Sequence, residues 1–371
     1  MATLRGERVD RPAVSFYELN GLDEDLDDPD PFNIHSDPSW RPLIELTRDR
    51  TDRIVMRGAA FPAVRPGLPV SDTDRKTFLQ DGSRYTVTTV KVGRRTLTSR
   101  TRRDPQVNTV WTVEPLLKDV DDLAAFLELP LETVAGTPDV APVLAAESAL
   151  GDAGIVMIDT PDPLCLAASL FDMGEYTVIA LTEPALFRRL LERFASSIHA
   201  RTELVSQALP GRLWRIYGPE YASPPYLPPA MFRDYVVRCD QPMIDAIHRH
   251  GGFARIHSHG KLEAILPDIA AMGADGLDPI EPPPQGDVSL RYVRERFGRQ
   301  LVLFGNLEVS DIETLATDRF AEKVKRALEE GMPTARDRGF VLMPSACPYG
   351  RTISPVTLRN YETMIRAIES L

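Results

Sequence analysis

Two histidines separated by one residue, His257 and His259 in the stretch RIHSHG, carry the clearest chemical signal in the sequence. On a β-strand, alternate side chains point to the same face, so both imidazoles would face one side while Ser258 faces the other. Two imidazoles on one face can bind a single metal ion. The alternative is that one histidine caps the following helix and the other packs inside the fold. These two residues alone leave both interpretations open.

A third candidate ligand, Cys347, lies near the C-terminus in the stretch MPSACPYG. A buried structural thiol is the alternative, but a cysteine beside Pro and Gly at the junction of a strand and a loop is less typical of core packing. Two histidines and a thiolate suit Zn2+ in tetrahedral geometry and leave a fourth position for substrate. Glu220 could fill or share that fourth position.

Acidic and amide side chains follow several apolar runs of the chain. Core packing does not explain polar residues there, although each of them alone is more often a helix cap or a loop residue. The catalytic candidates, which would handle protons or orient substrate, are Glu220 as first choice, Asp159 and Glu281. The substrate-binding candidates are Asn306, Tyr349 and Asp278. A structural role closing the turn after its strand is the alternative for Asn306.

The elements that must position these residues are short apolar runs, each followed by a helical pattern, from about residue 153 onward. This alternation indicates βα units around a parallel sheet. Six runs are legible: AGIVMID, LWRIYGPE, FARIHSH, GLDPIE, LVLFGN and FVLMPSAC. Two further candidates are DRIVMRG near residue 55 and YTVIALT near residue 180, although the second could equally be part of a helix.

Eight such strands predict an α/β fold, the (β/α)8 TIM barrel, whose chemistry belongs at the C-terminal ends of the strands. Closure of the barrel would bring Cys347 to the same mouth as the two histidines. Residues 1–52 are rich in Asp and Pro and are interpreted as an N-terminal arm. Residues 84–114 alternate β-branched and polar side chains, which predicts a β-hairpin insertion. No Gly/Ser linker divides the remainder, so residues 53–371 are expected to form a single barrel domain.

Composition excludes several classes of partner. The net charge of -11 and the pI near 5.2 argue against a nucleic-acid-binding surface. The N-terminus has no apolar segment of signal-peptide length, and no later segment is apolar for long enough to span a bilayer. Three cysteines are too few and too scattered for a disulfide scaffold. We therefore expect a cytoplasmic protein that acts on a small-molecule substrate.

Three stretches resemble the uroporphyrinogen decarboxylase superfamily: GFARIHSHGKLEAILPDIAAMGADGLDPIEPP, FGNLE and SACPYGRTISPVTLRNYETMIRAI. Within that superfamily they look closer to the corrinoid-linked methyltransferases, which carry a His-x-Cys pair on one strand and a later Cys as zinc ligands. The matching positions here are His257, His259 and Cys347, so a histidine replaces the first cysteine. The resemblance implies a Zn2+ cofactor and a methylcobamide carried by a separate corrinoid protein. The Arg-rich RQAGR-type motif of true uroporphyrinogen decarboxylases is missing from the sequence.

The favoured hypothesis is a zinc-dependent methyltransferase that moves a methyl group between a small substrate or thiol and a corrinoid protein. One alternative is a decarboxylase of the same superfamily that acts without metal. Another is a metal-dependent hydrolase of the amidohydrolase type, although that site needs further histidines downstream and none follows His259. A catalytically silent binding barrel is the remaining alternative.

Overall fold

The computed structural model describes residues 1–61, 73–131, 134–334 and 338–371. Within these ranges eight parallel strands form one sheet in the order β1-β12-β11-β10-β9-β8-β7-β2, and four antiparallel strands form a second sheet in the order β3-β4-β5-β6. The strands are β1 (Ala13–Val14), β2 (Arg53–Arg57), β3 (Thr73–Gln80), β4 (Ser83–Val92), β5 (Arg95–Arg103), β6 (Val110–Glu114), β7 (Gly154–Pro161), β8 (Leu213–Tyr217), β9 (Phe253–His257), β10 (Gly276–Asp278), β11 (Val302–Leu307) and β12 (Phe340–Pro344).

Helices follow the strands of the parallel sheet and cover its outer face. The α-helices are α1 (Ala2–Arg5), α2 (Arg41–Arg50), α3 (Val120–Phe126), α4 (Ala141–Leu150), α5 (Pro163–Ala168), α6 (Met173–Thr182), α7 (Pro184–Ala208), α8 (Pro229–Phe232), α9 (Arg238–Arg249), α10 (Leu266–Ala271), α11 (Leu290–Phe297), α12 (Val309–Thr314), α13 (Thr317–Gly331) and α14 (Pro355–Glu369). Short 3-10 turns span Ile34–Ser36, Pro38–Trp40, Gly151–Ala153 and Pro219–Ala222, and a π-helical turn spans Arg233–Val237. No helix in the described ranges is both long and apolar enough to cross a membrane.

The predicted (β/α)8 TIM barrel is confirmed, but its eighth strand comes from the segment interpreted as an arm. Strand β1 pairs with β12, and the backbone N–H of Asp52 donates to the carbonyl of Val14 at 2.7 Å, which brings the start of β2 beside β1. The Asp52 carboxylate also accepts from the Val14 N–H at 2.9 Å. These bonds bridge β1 and the start of β2, which are the two end strands of the sheet order.

The stretch YTVIALT lies in α6 and is not a strand. Its helix begins after Asp172, whose side chain accepts hydrogen bonds from the backbone N–H groups of Gly174 and Glu175. The buried residues Tyr176, Ile179 and Ala180 recur at helical spacing and leave the opposite face exposed. The helical alternative for this stretch is therefore correct.

Large side chains and two buried arginines, Arg215 and Arg255, fill the inside of the barrel. Tyr17, Met157, Phe304 and Met343 pack together there. Arg255 of β9 is 1% exposed, and its guanidinium lies 4.5 Å from the centre of the Phe304 ring. These side chains fill the barrel interior below the C-terminal ends of the strands.

The β-hairpin extension is confirmed as the central part of a larger antiparallel sheet, β3 to β6. Val90 and Leu97 pair across β4 and β5 and are buried against the main core. The turn before β6 is tied to the loop after β12, because the N–H of Asn108 donates to the carbonyl of Tyr349 and the N–H of Arg351 donates to the carbonyl of Gln106, both at 2.8 Å. The second sheet is therefore attached beside the loop that carries Cys347.

Candidate active site at the barrel mouth

The two predicted histidines lie next to each other at the end of β9. His257 is the last residue of the strand, and the centres of the two imidazole rings are 4.7 Å apart with the ring planes at 88°. Ser258 between them is fully buried. The structure thus brings together two of the three predicted metal ligands.

Each histidine is held by a carboxylate from the neighbouring strand or from the loop after it. Nδ1 of His257 lies 2.7 Å from Oδ2 of Asp278, its register partner on β10. Nδ1 of His259 lies 2.8 Å from Oε1 of Glu281, whose other oxygen accepts from the Gly260 N–H at 2.7 Å. Both rings therefore use Nδ1 for orientation, which leaves each Nε2 as the nitrogen available for other chemistry.

The charges of these pairs set the protonation of their members. Burial would raise the pKa of Asp278, but the charges of Arg255 and His257 and their hydrogen bonds hold it far below its usual value. Burial likewise acts to raise the pKa of Glu281, but its hydrogen bond with His259 lowers it. Burial would lower the pKa of His259, but the same hydrogen bond and the charge of Glu281 raise it. Both carboxylates are ionised anchors at neutral pH.

An arginine and a tyrosine connect the histidines to the opposite side of the barrel. Arg215 of β8 donates to both oxygens of Asp159, at 2.6 and 3.2 Å, and also to the hydroxyl of Tyr17. The Tyr17 hydroxyl lies 3.5 Å from Nε2 of His257. Asp159, a predicted catalytic residue, is thus the partner of Arg215. Sequence reasoning missed Tyr17, because its placement depends on the two-residue strand β1.

The Cys347 thiol contacts a carboxylate of the N-terminal segment. Its Sγ is 3.8 Å from Oε2 of Glu18, and burial together with the negative charge of Glu18 raises its pKa to about 12. Within residues 1–61, 73–131, 134–334 and 338–371, no three His, Cys, Asp or Glu side chains are grouped so that they could hold one metal ion. The predicted set of three ligands is therefore not assembled in this conformation.

The remaining predicted residues take different positions. Oε2 of Glu220 accepts from the Gly218 N–H at 3.0 Å, and the negative charge of Glu220 acts on His259. Asn306 lines a cavity of about 260 Å³ together with Asp311 and Lys323. Tyr349 is 45% exposed in the loop after β12. Asp278 is fully buried, and its two oxygens are bonded to Arg255 and His257. Its carboxylate therefore orients these two side chains.

Glu308, which sequence reasoning missed, is an acid of the mouth whose pKa is raised close to neutrality. It follows the last residue of β11, is buried, and its Oε2 accepts from the Ser345 hydroxyl at 3.2 Å. Its Oε1 is buried with no hydrogen-bond partner. Burial and the negative charge of Glu281 raise the pKa of Glu308 to about 7. Glu308 is the last residue of the stretch FGNLE, two positions after Asn306. Its position just after a predicted strand was the sequence signal that could have identified it.

Two further acids lie behind the mouth without partners for most of their oxygens. Asp162, just after β7, and Asp240 on α9 are both fully buried. Oδ1 of Asp162 caps α5 by accepting from the Cys165 N–H at 2.5 Å, but Oδ2 of Asp162 and both oxygens of Asp240 have no partner. Burial is the largest cause that raises the pKa of both, and their negative neighbours, including Glu220, add to it.

Comparison with known proteins gives a family from one search and a similar fold from another. The model of the family uroporphyrinogen decarboxylase (URO-D) matches residues 147–371. A solved structure described as a methyltransferase from Methanosarcina mazei has a TM-score of 0.58 at 16% sequence identity, over 100% of this chain and 96% of that chain. A D-psicose 3-epimerase crystallised with D-fructose has a TM-score of only 0.33 at 14% identity, over 62% and 82% of the two chains. Comparison with curated proteins found no match. At these identities the structural likeness shows the fold alone.

Proposed function

This chain belongs to the uroporphyrinogen decarboxylase (URO-D) family, and from that premise we propose that it is a zinc-dependent methyltransferase. It would move a methyl group between a small substrate or thiol and a corrinoid protein. The observation that carries the proposal is the pair His257 and His259, each with Nδ1 bound to a carboxylate. The likeness to a structure described as a methyltransferase is consistent with this reaction class.

The donor groups fit zinc in part. Histidines that bind zinc usually donate their second ring nitrogen to a carboxylate, and both histidines here are held in this way. Imidazole nitrogen and thiolate sulfur are also the donors that zinc prefers. Cys347 would complete the set only after its thiol leaves Glu18 and loses its proton. His257, His259 and Cys347 remain the proposed ligands, with Cys347 the least prepared of the three.

Bound zinc would act as a Lewis acid that lowers the pKa of a substrate thiol or activates a methyl-bearing heteroatom. The protein's own residues supply orientation and proton handling. Asp278 and Glu281 fix the two imidazoles, and Asp159 neutralises Arg215. Oε1 of Glu308, buried and without a partner, would hold the proton that a substrate gains or loses. Glu220, whose charge reaches His259, would orient the substrate.

The partner and the second cofactor rest on the family resemblance. A methylcobamide on a separate corrinoid protein would approach the barrel mouth, because the strand ends that carry the histidines lie there. The small-molecule substrate would occupy the same mouth.

Metal content tests the proposal most directly. Protein purified without a metal-affinity tag should contain about one zinc per chain, and His257→Ala and His259→Ala should lose it. His248→Ala is a matched control, because His248 also bonds to a carboxylate, Asp275, at 2.7 Å, but lies at the end of α9. Zinc retained by Cys347→Ala would remove the cysteine from the ligand set. Wild-type protein that binds no zinc after reconstitution would overturn the proposal.

A decarboxylase that acts without metal is the second candidate. The observation that favours it is that no three side chains in the described ranges are grouped to hold a metal ion. Activity with methylcobalamin as the methyl donor and a thiol as the acceptor would separate the two candidates. Methyl transfer that a chelator abolishes supports the methyltransferase, whereas release of CO2 from a carboxylate substrate in the presence of chelator supports the decarboxylase.

A further inference from the structure

Tyr17 lies between two rows of hydrogen-bonded charged side chains in the barrel mouth. One row runs from Asp159 through Arg215, and the other runs from Arg255 through Asp278 to His257. Tyr17 lies three residues after β1, whereas His257 ends β9, which is four strands away from β1 in the sheet order. Tyr17 is buried among the apolar residues of the barrel interior, so it cannot leave the mouth without opening that packing.

The contacts of Tyr17 engage both its ring and its hydroxyl. Its ring stacks on the His257 imidazole with centres 5.6 Å apart and planes at 17°. The guanidinium of Arg215 lies 5.4 Å from the centre of the same ring and donates to the hydroxyl oxygen. That oxygen is 3.5 Å from Nε2 of His257. One residue therefore contacts the face and one nitrogen of the imidazole.

The direction of these hydrogen bonds follows from the donors available. One oxygen of Asp278 accepts from Arg255 and the other lies 2.7 Å from Nδ1 of His257, so Nδ1 is the nitrogen that donates, and Nε2 faces the Tyr17 hydroxyl as an acceptor. Arg215 can only donate, so the Tyr17 oxygen accepts from it. The Tyr17 O–H then remains to donate to Nε2. The hydrogen bonds therefore run in one direction, from Arg215 to Tyr17, from Tyr17 to His257 and from His257 to Asp278.

We propose that Tyr17 is a positioning residue that fixes the ring plane and the tautomer of His257. The proposal rests on the proposed function only in treating His257 as a working residue of the mouth. The 3.5 Å separation makes the O–H contact with Nε2 a weak bond, which an incoming metal ion or substrate can replace. The stack and the Asp278 bond would keep the ring in place after that replacement.

Nitrogen NMR of histidine-labelled, chelator-treated full-length protein tests the tautomer directly, since the chain has only six histidines. In wild type, His257 should show a protonated Nδ1 and an unprotonated, hydrogen-bonded Nε2. In Tyr17→Phe the Nε2 signal should move toward that of an unbonded nitrogen, while the other histidines stay unchanged. Tyr235→Phe is the matched control, because it also deletes a buried hydroxyl that donates a 2.8 Å hydrogen bond. An unmoved Nε2 signal in Tyr17→Phe, or an equal shift in the control, would overturn the proposal.

Zinc affinity by competition with a chelating dye tests the role of the stack. Tyr17→Phe keeps the ring and should bind zinc about as tightly as wild type, whereas Tyr17→Leu should bind at least about tenfold more weakly, as expected when a residue that orients a ligand is lost. Val341→Ala, another change in the barrel interior, should lower stability and leave affinity unchanged. Equal affinity in Tyr17→Leu would contradict the positioning role. If wild type binds no zinc, the proposed function fails, and the NMR result still decides the role of Tyr17.

Discussion

The carboxylates at and just after the end of β10 differ from the buried acids behind them in their partners more than in their burial. Asp278 is fully buried, yet both of its oxygens are bonded to Arg255 and His257 and its pKa is lowered. Asp240 is equally buried, yet neither of its oxygens has a partner and its pKa is raised. Burial alone raises the pKa of a carboxylate, so the partner decides the direction of the shift.

This difference separates two tasks within the barrel. Asp278 and Glu281, whose pKa values are lowered, hold the two histidines in fixed orientations, and Asp159 is bonded to Arg215. The unpaired acids keep their protons at pH values where the paired acids have lost theirs. The orienting carboxylates therefore lie on β7, on β10 and in the loop after β10, whereas the acids that keep their protons are Asp162, Asp240 and Glu308.

The largest expected effect comes from removing the charge of Asp278. In Asp278→Asn the guanidinium of Arg255, 1% exposed, would lose its ionic partner in the barrel interior. We expect the free energy of unfolding to fall by about 3–5 kcal/mol, as when one partner of a buried ion pair is removed. Denaturant unfolding measures this.

The control for Asp278→Asn is Glu362→Gln, which breaks an exposed ion pair with Arg366 one helical turn away on α14. Exposed pairs of this kind contribute about 0.5 kcal/mol or less. A loss in Asp278→Asn as small as in this control would show that Arg255 finds another partner, and the distinction between paired and unpaired acids would fail at its strongest point.

The next effect has the opposite sign. Asp240 has a raised pKa in the folded state, so between its unfolded pKa and that raised value the folded protein binds more protons, and stability falls as pH rises. Each pKa unit of this shift costs about 1.4 kcal/mol at higher pH. Asp240→Asn removes the ionisable group, so at pH 7 the variant should be more stable than wild type, with a Tm higher by about 2 °C or more.

Thermal unfolding at pH 5 and pH 8 measures this difference, which should be larger at pH 8. Asp245→Asn, an exposed change on the same helix, should show no such gain. A variant at Asp240 that is less stable than wild type at pH 8 would mean that the ionised carboxylate has a favourable partner, which would place Asp240 with the paired acids.

Sequence patterns predicted the parts of this comparison that depend on single strands. The alternation in RIHSHG predicted neighbouring positions for His257 and His259, whose rings lie 4.7 Å apart, and the apolar runs located six of the strands. The sequence patterns did not predict contacts between segments that are distant along the chain. Strand β1 has two residues, too few for any periodicity, and without it neither Tyr17 nor Glu18 could be placed at the mouth. Barrel closure predicts which strand ends meet, but it does not predict where a side chain such as that of Cys347 turns.

The smallest expected effect belongs to Glu308, which stands between the two classes because Ser345 bonds to one oxygen and the other has no partner. Its pKa of about 7 lies above its ordinary value, so its contribution to stability is present at low pH and is lost as pH rises toward 7. Glu308→Gln should therefore gain stability relative to wild type between pH 5 and pH 8, by a Tm change under about 2 °C. Glu322→Gln on α13, an exposed change, is the control.

Thermal unfolding across this pH range, with the pH dependence of activity measured beside it, tests both roles of Glu308. If its proton is used in the reaction, the limb of the activity profile near pH 7 should disappear in Glu308→Gln, because glutamine cannot exchange a proton. A stability difference that does not change with pH would mean that Glu308 is already ionised at pH 5. The negative charge of Glu281 and burial would then be outweighed by a partner, and Glu308 would join the acids that orient the mouth.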